Sequence, residues 1–292
     1  MKHKSILVVI DMHYIIIRFW PTSWLRFYEH ETDEAKRLFG IPTRVLYTES
    51  TGAYNYTGEY IHHRMEMKEW VDHILDIRSR SEVDELTFAR GCERYDFERV
   101  SNAIPKTREL TIEANIDEAL SHRIFNQYSS HIDGLQLDRN IFRGNESKFR
   151  KLLIRNLHCL RMGWYLEELQ GFGLNELLMC NTSYIKLQNI NFSEKLLNRF
   201  LKLWVEGANF RMRRLNIYFA QQEVNKELIL QGLGCRNIEI TEQFTFNDIT
   251  YTFNARNRLV AFFDFYRKDG VKGRIVFRTE RNNEKEIFTL FT

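Results

Sequence analysis

Histidines, cysteines and paired glycines are the residue types in this sequence that could carry chemistry. His62-His63 is the one adjacent histidine pair, flanked by Glu59 and Glu66. A tetrahedral metal site needs three or four ligands at defined spacing, and no Cys, His or Asp pattern near residue 62 supplies the rest. Exposed loop histidines are the plainer reading. Cys92, Cys159, Cys180 and Cys235 stand far apart and form no CxxC. In a chain of this length they read as buried or semi-buried thiols of a reducing compartment rather than a disulfide framework. Gly171-Phe172-Gly173 and Gly232-Leu233-Gly234 complete neither GxGxxG nor GxxxxGK[ST], so helix-ending turns explain them better than a phosphate cradle. GxSxG and HExxH do not occur. The sequence therefore points to no catalytic residue, no metal ligand and no cofactor.

Two basic clusters, Arg143 to Arg155 and Arg211-Arg213-Arg214, could meet an anion. A nucleic-acid footprint would be larger and would shift the overall balance. Here 42 Lys and Arg oppose 39 Asp and Glu, a net charge of +3. Nucleic acid and an anionic membrane are therefore not expected as partners. Tyr54, Tyr56 and Tyr60 suit contact with another protein, because tyrosine supplies a rigid amphipathic surface; packing in a core or hairpin is the alternative. The binding residues themselves are not identified by type or spacing.

The elements that must position these groups follow from hydrophobic pattern. The chain has 292 residues, 43% of them hydrophobic and 14% aromatic, enough to build a substantial core. Ile6 to Ile10, His13 to Phe19 and Trp24 to Tyr28 read as strands. The first run is shorter than a signal peptide requires, and no apolar stretch is long enough to span a bilayer, which suggests an intracellular protein of cytoplasm or nucleus. Residues 40–62 read as a loop with weak strand content, and Glu66 to Ser79 as a helix. A theme of apolar–x–apolar strand followed by helix then recurs, with first apolar positions at Leu86, Leu110, Leu135, Leu152, Ile185 and Leu215. The spacings are 24, 25, 17, 33 and 30 residues.

That pattern predicts an α/β fold: an irregular leucine-rich-repeat-like solenoid of strand–helix units. An α/β domain with a parallel sheet is the alternative. Ser193 to Glu206 is the best-specified helix, with Ser193 as N-cap, Gly207 as terminator and an apolar face of Leu196, Leu197, Phe200, Leu201 and Trp204. Ile238 to Ile240, Ile249 to Phe253, Leu259 to Tyr266, Lys272 to Phe277 and Ile287 to Phe291 predict a C-terminal antiparallel β cap, turning at Asp269-Gly270. The expected organisation is an N-terminal β region over 1–62, strand–helix repeats over 63–220 and a hairpin cap over 221–292, together one continuous domain.

The run Leu196-Leu197-Asn198-Arg199-Phe200-Leu201-Lys202-Leu203-Trp204-Val205-Glu206-Gly207, followed by Asn209 and the strand Arg214 to Ile217, resembles the type-2 F-box-associated region of nematode F-box proteins. Leu230-Gln231-Gly232-Leu233 and Phe265-Tyr266-Arg267-Lys268-Asp269-Gly270 agree with it, and the resemblance is expected to run from the first strands to about residue 278. It implies a non-enzymatic module that recruits a target protein to an SCF-type ubiquitin ligase. No F-box is recognisable; the chain opens about where one would end. Binding of the ligase adaptor subunit is expected only if the native protein carries an F-box upstream. Leu197, Phe200, Leu201, Trp204 and Gly207 are expected to serve the fold rather than binding. A complete receptor with a missing N-terminus, an enzyme whose site is assembled from distant residues and a drifting family copy are the alternatives.

Overall fold

The computed structural model describes residues 5–20, 22–28, 41–50, 55–60, 64–163, 169, 171–220, 224–238, 243–246, 249–252, 257–280 and 286–292. It is a mixed α/β chain that divides into two compact units, Met1–Leu137 and Asp138–Thr292.

Unit 1 begins with strands β1 (Leu7–Ile10), β2 (Ile15–Trp20) and β3 (Ser23–Tyr28), close to the expected runs. Residues 40–62, expected to be mostly loop, instead contain β4 (Arg44–Ser50) and β5 (Asn55–Tyr60), paired antiparallel from Val45–Tyr60 to Ser50–Asn55. Their strand character comes from cross-strand pairing on a sheet that already exists, which local composition does not register. Helix α1 (Met67–Ile77) follows, capped where Glu66 Oε and Glu69 Oε bond each other's backbone N–H groups reciprocally. Then come β6 (Val83–Phe88), α2 (Phe97–Ala103), β7 (Thr107–Ile112), α3 (Glu118–Tyr128) and β8 (Gly134–Leu137).

Strands β1, β6, β7 and β8 run parallel, in lateral register Val8–Leu86–Leu110–Leu135 and Ile10–Phe88–Ile112–Leu137. Every one of these side chains is at most 2% exposed, which makes the two rows the core of the unit. Buried Asp84 accepts from the Ile6 N–H at 2.8 Å and pairs with Arg108, so its charge is satisfied while it ties β1 to β6.

Unit 2 comprises α4 (Glu146–Leu153), β9 (Cys159–Met162), α5 (Leu174–Met179), β10 (Tyr184–Ile190), α6 (Glu194–Val205), β11 (Arg214–Phe219), α7 (Lys226–Leu230) and β12 (Arg236–Asn237). After them come β13 (Gln243–Phe246), β14 (Ile249–Thr252), β15 (Asn257–Tyr266), β16 (Lys272–Glu280) and β17 (Glu286–Phe291). Lys151 to Ile154, expected as a strand, is the last turn and C-cap of α4; the strand is Cys159–Met162. Asn145 Oδ1 caps α4 through the Lys148 N–H, and Phe149, Leu152 and Leu153 fall on one buried helical face. With Leu160 replacing Leu152, the strand positions stand 24, 25, 25, 25 and 30 residues apart.

Strands β9, β10 and β11 are parallel, in register Leu160–Ile185–Leu215 and Met162–Leu187–Ile217. Beyond β11 the sheet turns antiparallel through β17, β16 and β15 to β12. This agrees with the expected antiparallel C-terminal strands. Of the expected run Ile238 to Ile240, Ile238 follows directly on β12, its N–H donating to the Phe262 carbonyl at 3.0 Å. Residues 239–240 and Phe253 lie outside the described residues.

Helices α4 to α7 pack on one another in sequence order. The Ser193 hydroxyl accepts from the Leu196 N–H at 3.2 Å, and Gly207, at φ +107°, takes the left-handed position that ends α6. Trp204 is fully buried, its ring 5.1 Å from that of Phe265 and against Gly273, where an added Cβ would lie 2.9 Å from the indole. Replacing Trp204 by Ala should lower unfolding free energy by about 3–5 kcal/mol. Urea titration measures it; a change within about 0.5 kcal/mol would contradict this packing role.

Candidate functional site

Residues on a strand alternate between faces, so the row beside each buried leucine or isoleucine points the other way. In unit 2 strand register builds that second face from Arg161 beside Lys186 beside Asn216, and from Cys159 beside Tyr184 beside Arg214. It continues through Phe291 and Arg274, Thr289 and Val276, and Ile287 and Arg278. Lys272 lies two residues before Arg274, and Arg236 pairs with Asp264 at the edge. The face is thus rich in cations. Among the residues whose side chains are described, Asp264 is the single carboxylate that strand register puts on it.

Aromatic rings hold several of these cations. Lys186 Nζ sits 4.8 Å from the Tyr218 ring centroid, and the Arg214 guanidinium 5.4 Å from Tyr184 and 5.1 Å from Phe291. Arg214 Nε donates to Asn216 Oδ1 at 3.2 Å, and Asn216 Nδ2 donates to the Tyr184 hydroxyl at 3.0 Å. Arg161, Tyr184, Lys186, Arg214 and Tyr218 are all half-buried. At the far side, buried Asp264 takes two bonds from Arg274, at 2.6 and 2.7 Å, and a third from Lys272 at 2.6 Å. Burial alone would raise the Asp264 carboxyl, but the hydrogen bonds and charges of Arg274 and Lys272 outweigh it and hold the group below its ordinary value.

The residues singled out by sequence fall elsewhere or into structural roles. His62-His63 and Tyr54 lie outside the described residues. Among the described residues no cluster of three or more His, Cys, Asp or Glu is placed to hold a metal ion. Tyr60 lines an apolar groove of about 370 Å³ in unit 1, with Phe19, Leu25, Tyr47, Trp70 and Ile77; Tyr56 stands exposed on the same strand. Gly173 caps α5, its N–H donating to Glu176 Oε2 at 2.9 Å; a carboxylate there occupies the place a phosphate would need. Gly232 and Gly234 follow α7 in left-handed turns. Arg150 pairs with Glu146 at 3.5 Å, Arg211 bonds Asn156, and of the second basic cluster only Arg214 reaches the cationic face.

The four cysteines are free thiols. Burial pushes Cys92 up to about 12 and Cys235 up to about 11, and raises Cys180 further, so all three stay protonated at neutral pH and are poor nucleophiles. No helix among the described residues is long and apolar enough to cross a membrane.

Because Asp264 titrates lower in the folded chain than in the unfolded one, its stabilisation is full above an unfolded value of about 3.9 and fades as pH falls below it. Asp264→Asn should therefore cost about 3 kcal/mol at pH 7, leaving Arg274 without its buried partner, and the gap to the unaltered chain should narrow below pH 4. Urea unfolding of both chains at pH 7 and pH 3 checks the magnitude and the sign.

Residues 148–217 match a family model described as F-box associated, and the F-box itself is not detected. The matched stretch runs from within α4 to within β11 and contains Arg161, Lys186 and Arg214. Of the segments that carried the resemblance, Leu196 to Gly207, Asn209 and the strand after it lie inside the match; Leu230 to Leu233 and Phe265 to Gly270 lie outside it. No curated protein and no solved structure matches the chain. The family-level conclusion is that residues 148–217 are similar to the F-box-associated region.

Proposed function

We propose that the chain is a protein-interaction module akin to the part of an SCF-type ubiquitin-ligase receptor that recruits the target protein, and that it acts without catalysis. The observation that carries this reading is the F-box-associated match over 148–217. That stretch contains parallel strand–helix units, β9 to β11, whose residues alternate between the apolar row and a second face. We read these units as leucine-rich-repeat-like: each strand–helix pair has an apolar side too small to bury alone, so stacking supplies the core and leaves an extended surface for a partner. In this reading the N-terminal strands, the repeats and the C-terminal hairpins are parts of one module, and the partner is a protein rather than nucleic acid or a membrane. The protonated, buried thiols are in keeping with a reducing compartment, cytoplasm or nucleus.

A C-terminal tag at the native locus, purification of the complex and mass spectrometry test this. A target protein should co-purify in stoichiometric amount, and the ligase adaptor should accompany it if peptides of an upstream F-box are found. A chain that purifies alone from cells expressing it at native level contradicts the module reading.

A further inference from the structure

In unit 1, β5 pairs with β4 along one side, and among the described residues no strand lies along the other. Every second residue of such an edge strand turns its N–H and C=O outward, and another strand satisfies a row of this kind best. Edges that stay single are commonly blunted by a proline, a lysine or a bulge. β5 uses none of these: Asn55 to Tyr60 include neither residue, and the register with β4 is unbroken. Five of its six residues are exposed, Tyr56 at 67% and Tyr60 at 52%.

Register places Tyr56, Gly58 and Tyr60 on the same face as Val45 and Phe27, and Thr57 and Glu59 on the opposite one. Helix α1 packs on the first face, with the Trp70 ring 5.5 Å from that of Phe27, and leaves the 370 Å³ groove that Tyr60 and Ile77 line. The strand is self-complementary on that face. Turning a second β5 antiparallel about Gly58 sets Tyr56 opposite Tyr60 of the other copy, Thr57 opposite Glu59 and Gly58 opposite itself. Aromatic pairs directly across two strands stabilise them. Tyr60, at the rim of the groove, thereby gains a second aromatic neighbour in each copy. Glu59 meets no like charge directly across and already pairs with Arg44 at 3.0 Å. A two-fold centred on Glu59 would instead set carboxylate against carboxylate, which a sheet disfavours.

We propose that the chain forms a two-fold dimer in which β5 pairs antiparallel with β5 of a second copy, centred on Gly58. The contact is isologous, so each copy uses its own β5 edge and association through this strand stops at two. Two six-residue strands make a small interface, which places the dimer at the weak end of specific association. The proposal goes beyond the interaction-module reading and does not depend on it.

Sedimentation velocity on the full chain, from roughly 1 to 200 μM, tests the proposal. The sedimenting mass should rise from that of one chain toward that of two, and amide exchange over residues 55–60 should slow across the same range. Gly58→Lys and Gly58→Glu each set like charges opposite one another across the two-fold. Each alone should raise the dimer dissociation constant at least about tenfold, and an equimolar mixture of the two should restore association. A side chain fits at this position, since the nearest atom to an added Cβ is on the Tyr56 ring at 3.6 Å. Thermal melts by circular dichroism within a few degrees of the unaltered chain establish that the variants fold. Tyr56→Ser, which alters only an exposed ring, should weaken the dimer several-fold and serves if the position-58 variants do not fold. A chain that stays monomeric throughout, which would leave the edge to a strand of another protein, overturns the proposal. So does a dimer indifferent to these substitutions, a mixture that fails to associate, or exchange over 55–60 that does not change with concentration.

Discussion

The constraint on which everything else depends is the lateral alignment of one buried aliphatic side chain per parallel strand. Val8, Leu86, Leu110 and Leu135 form one such row in unit 1, and Leu160, Ile185 and Leu215 one in unit 2, none more than 2% exposed. Parallel neighbours need a crossover between them, so each strand must be followed by enough chain to run back to the strand's start. A spacing near 25 residues meets that need with one short helix and two loops. A shift of one residue in any strand would send its aliphatic side chains to the opposite face, so the row fixes the register.

Amides then secure the helices that the row only places roughly. Asn198, buried on α6, donates both hydrogens of its amide, to the carbonyls of Ile229 and Gln231 at 2.8 Å each, at the end of α7. Asn209 does the same for α5, donating to Leu177 at 2.8 Å and Cys180 at 3.1 Å. The last carbonyls of a helix have no partner within it, so a side chain from the neighbouring strand–helix unit satisfies them and ties successive helices together at once. A leucine at position 198 would fill the same space and leave the buried Ile229 carbonyl, and the partly buried one of Gln231, without this donor. This explains why asparagine stands on the buried face of an otherwise apolar helix.

How much of this was legible depended on whether the signal was local. The α6 helix, its Ser193 cap and its Gly207 end could be read directly, because cap, face and terminator lie within one short run of residues. Cys159-Leu160-Arg161-Met162 could not, because a four-residue strand containing arginine and cysteine has no propensity of its own. Lys151-Leu152-Leu153-Ile154 imitated a strand because the apolar stripe of a short amphipathic helix puts two leucines together. Pairing explains β4 and β5 in the same way: Val45 and Tyr47 become strand residues by lying against β3. Asn198 and Asn209 carried no readable role, since their partners lie some thirty residues away.

The candidate face was written in the sequence, but in the positions a search for hydrophobic pattern passes over. Each strand has the form apolar–x–apolar, and the central residues are Thr87, Thr111, Gln136, Arg161, Lys186 and Asn216 in order. The flanking pair enters the aliphatic core, while the central residue lies on the opposite face, buried at Thr87, Thr111 and Asn216 and half-buried at Gln136, Arg161 and Lys186. A neutral threonine at each centre would satisfy the sheet, as it does at 87 and 111. Arginine and lysine stand side by side at 161 and 186 instead. That departure falls within the stretch matching the F-box-associated model, while the carboxylate Asp264 lies outside it and is already engaged. The residue type at the centre of each strand therefore varies while the aliphatic pair beside it stays, because a change of register or polarity in that pair would take the strand out of the core.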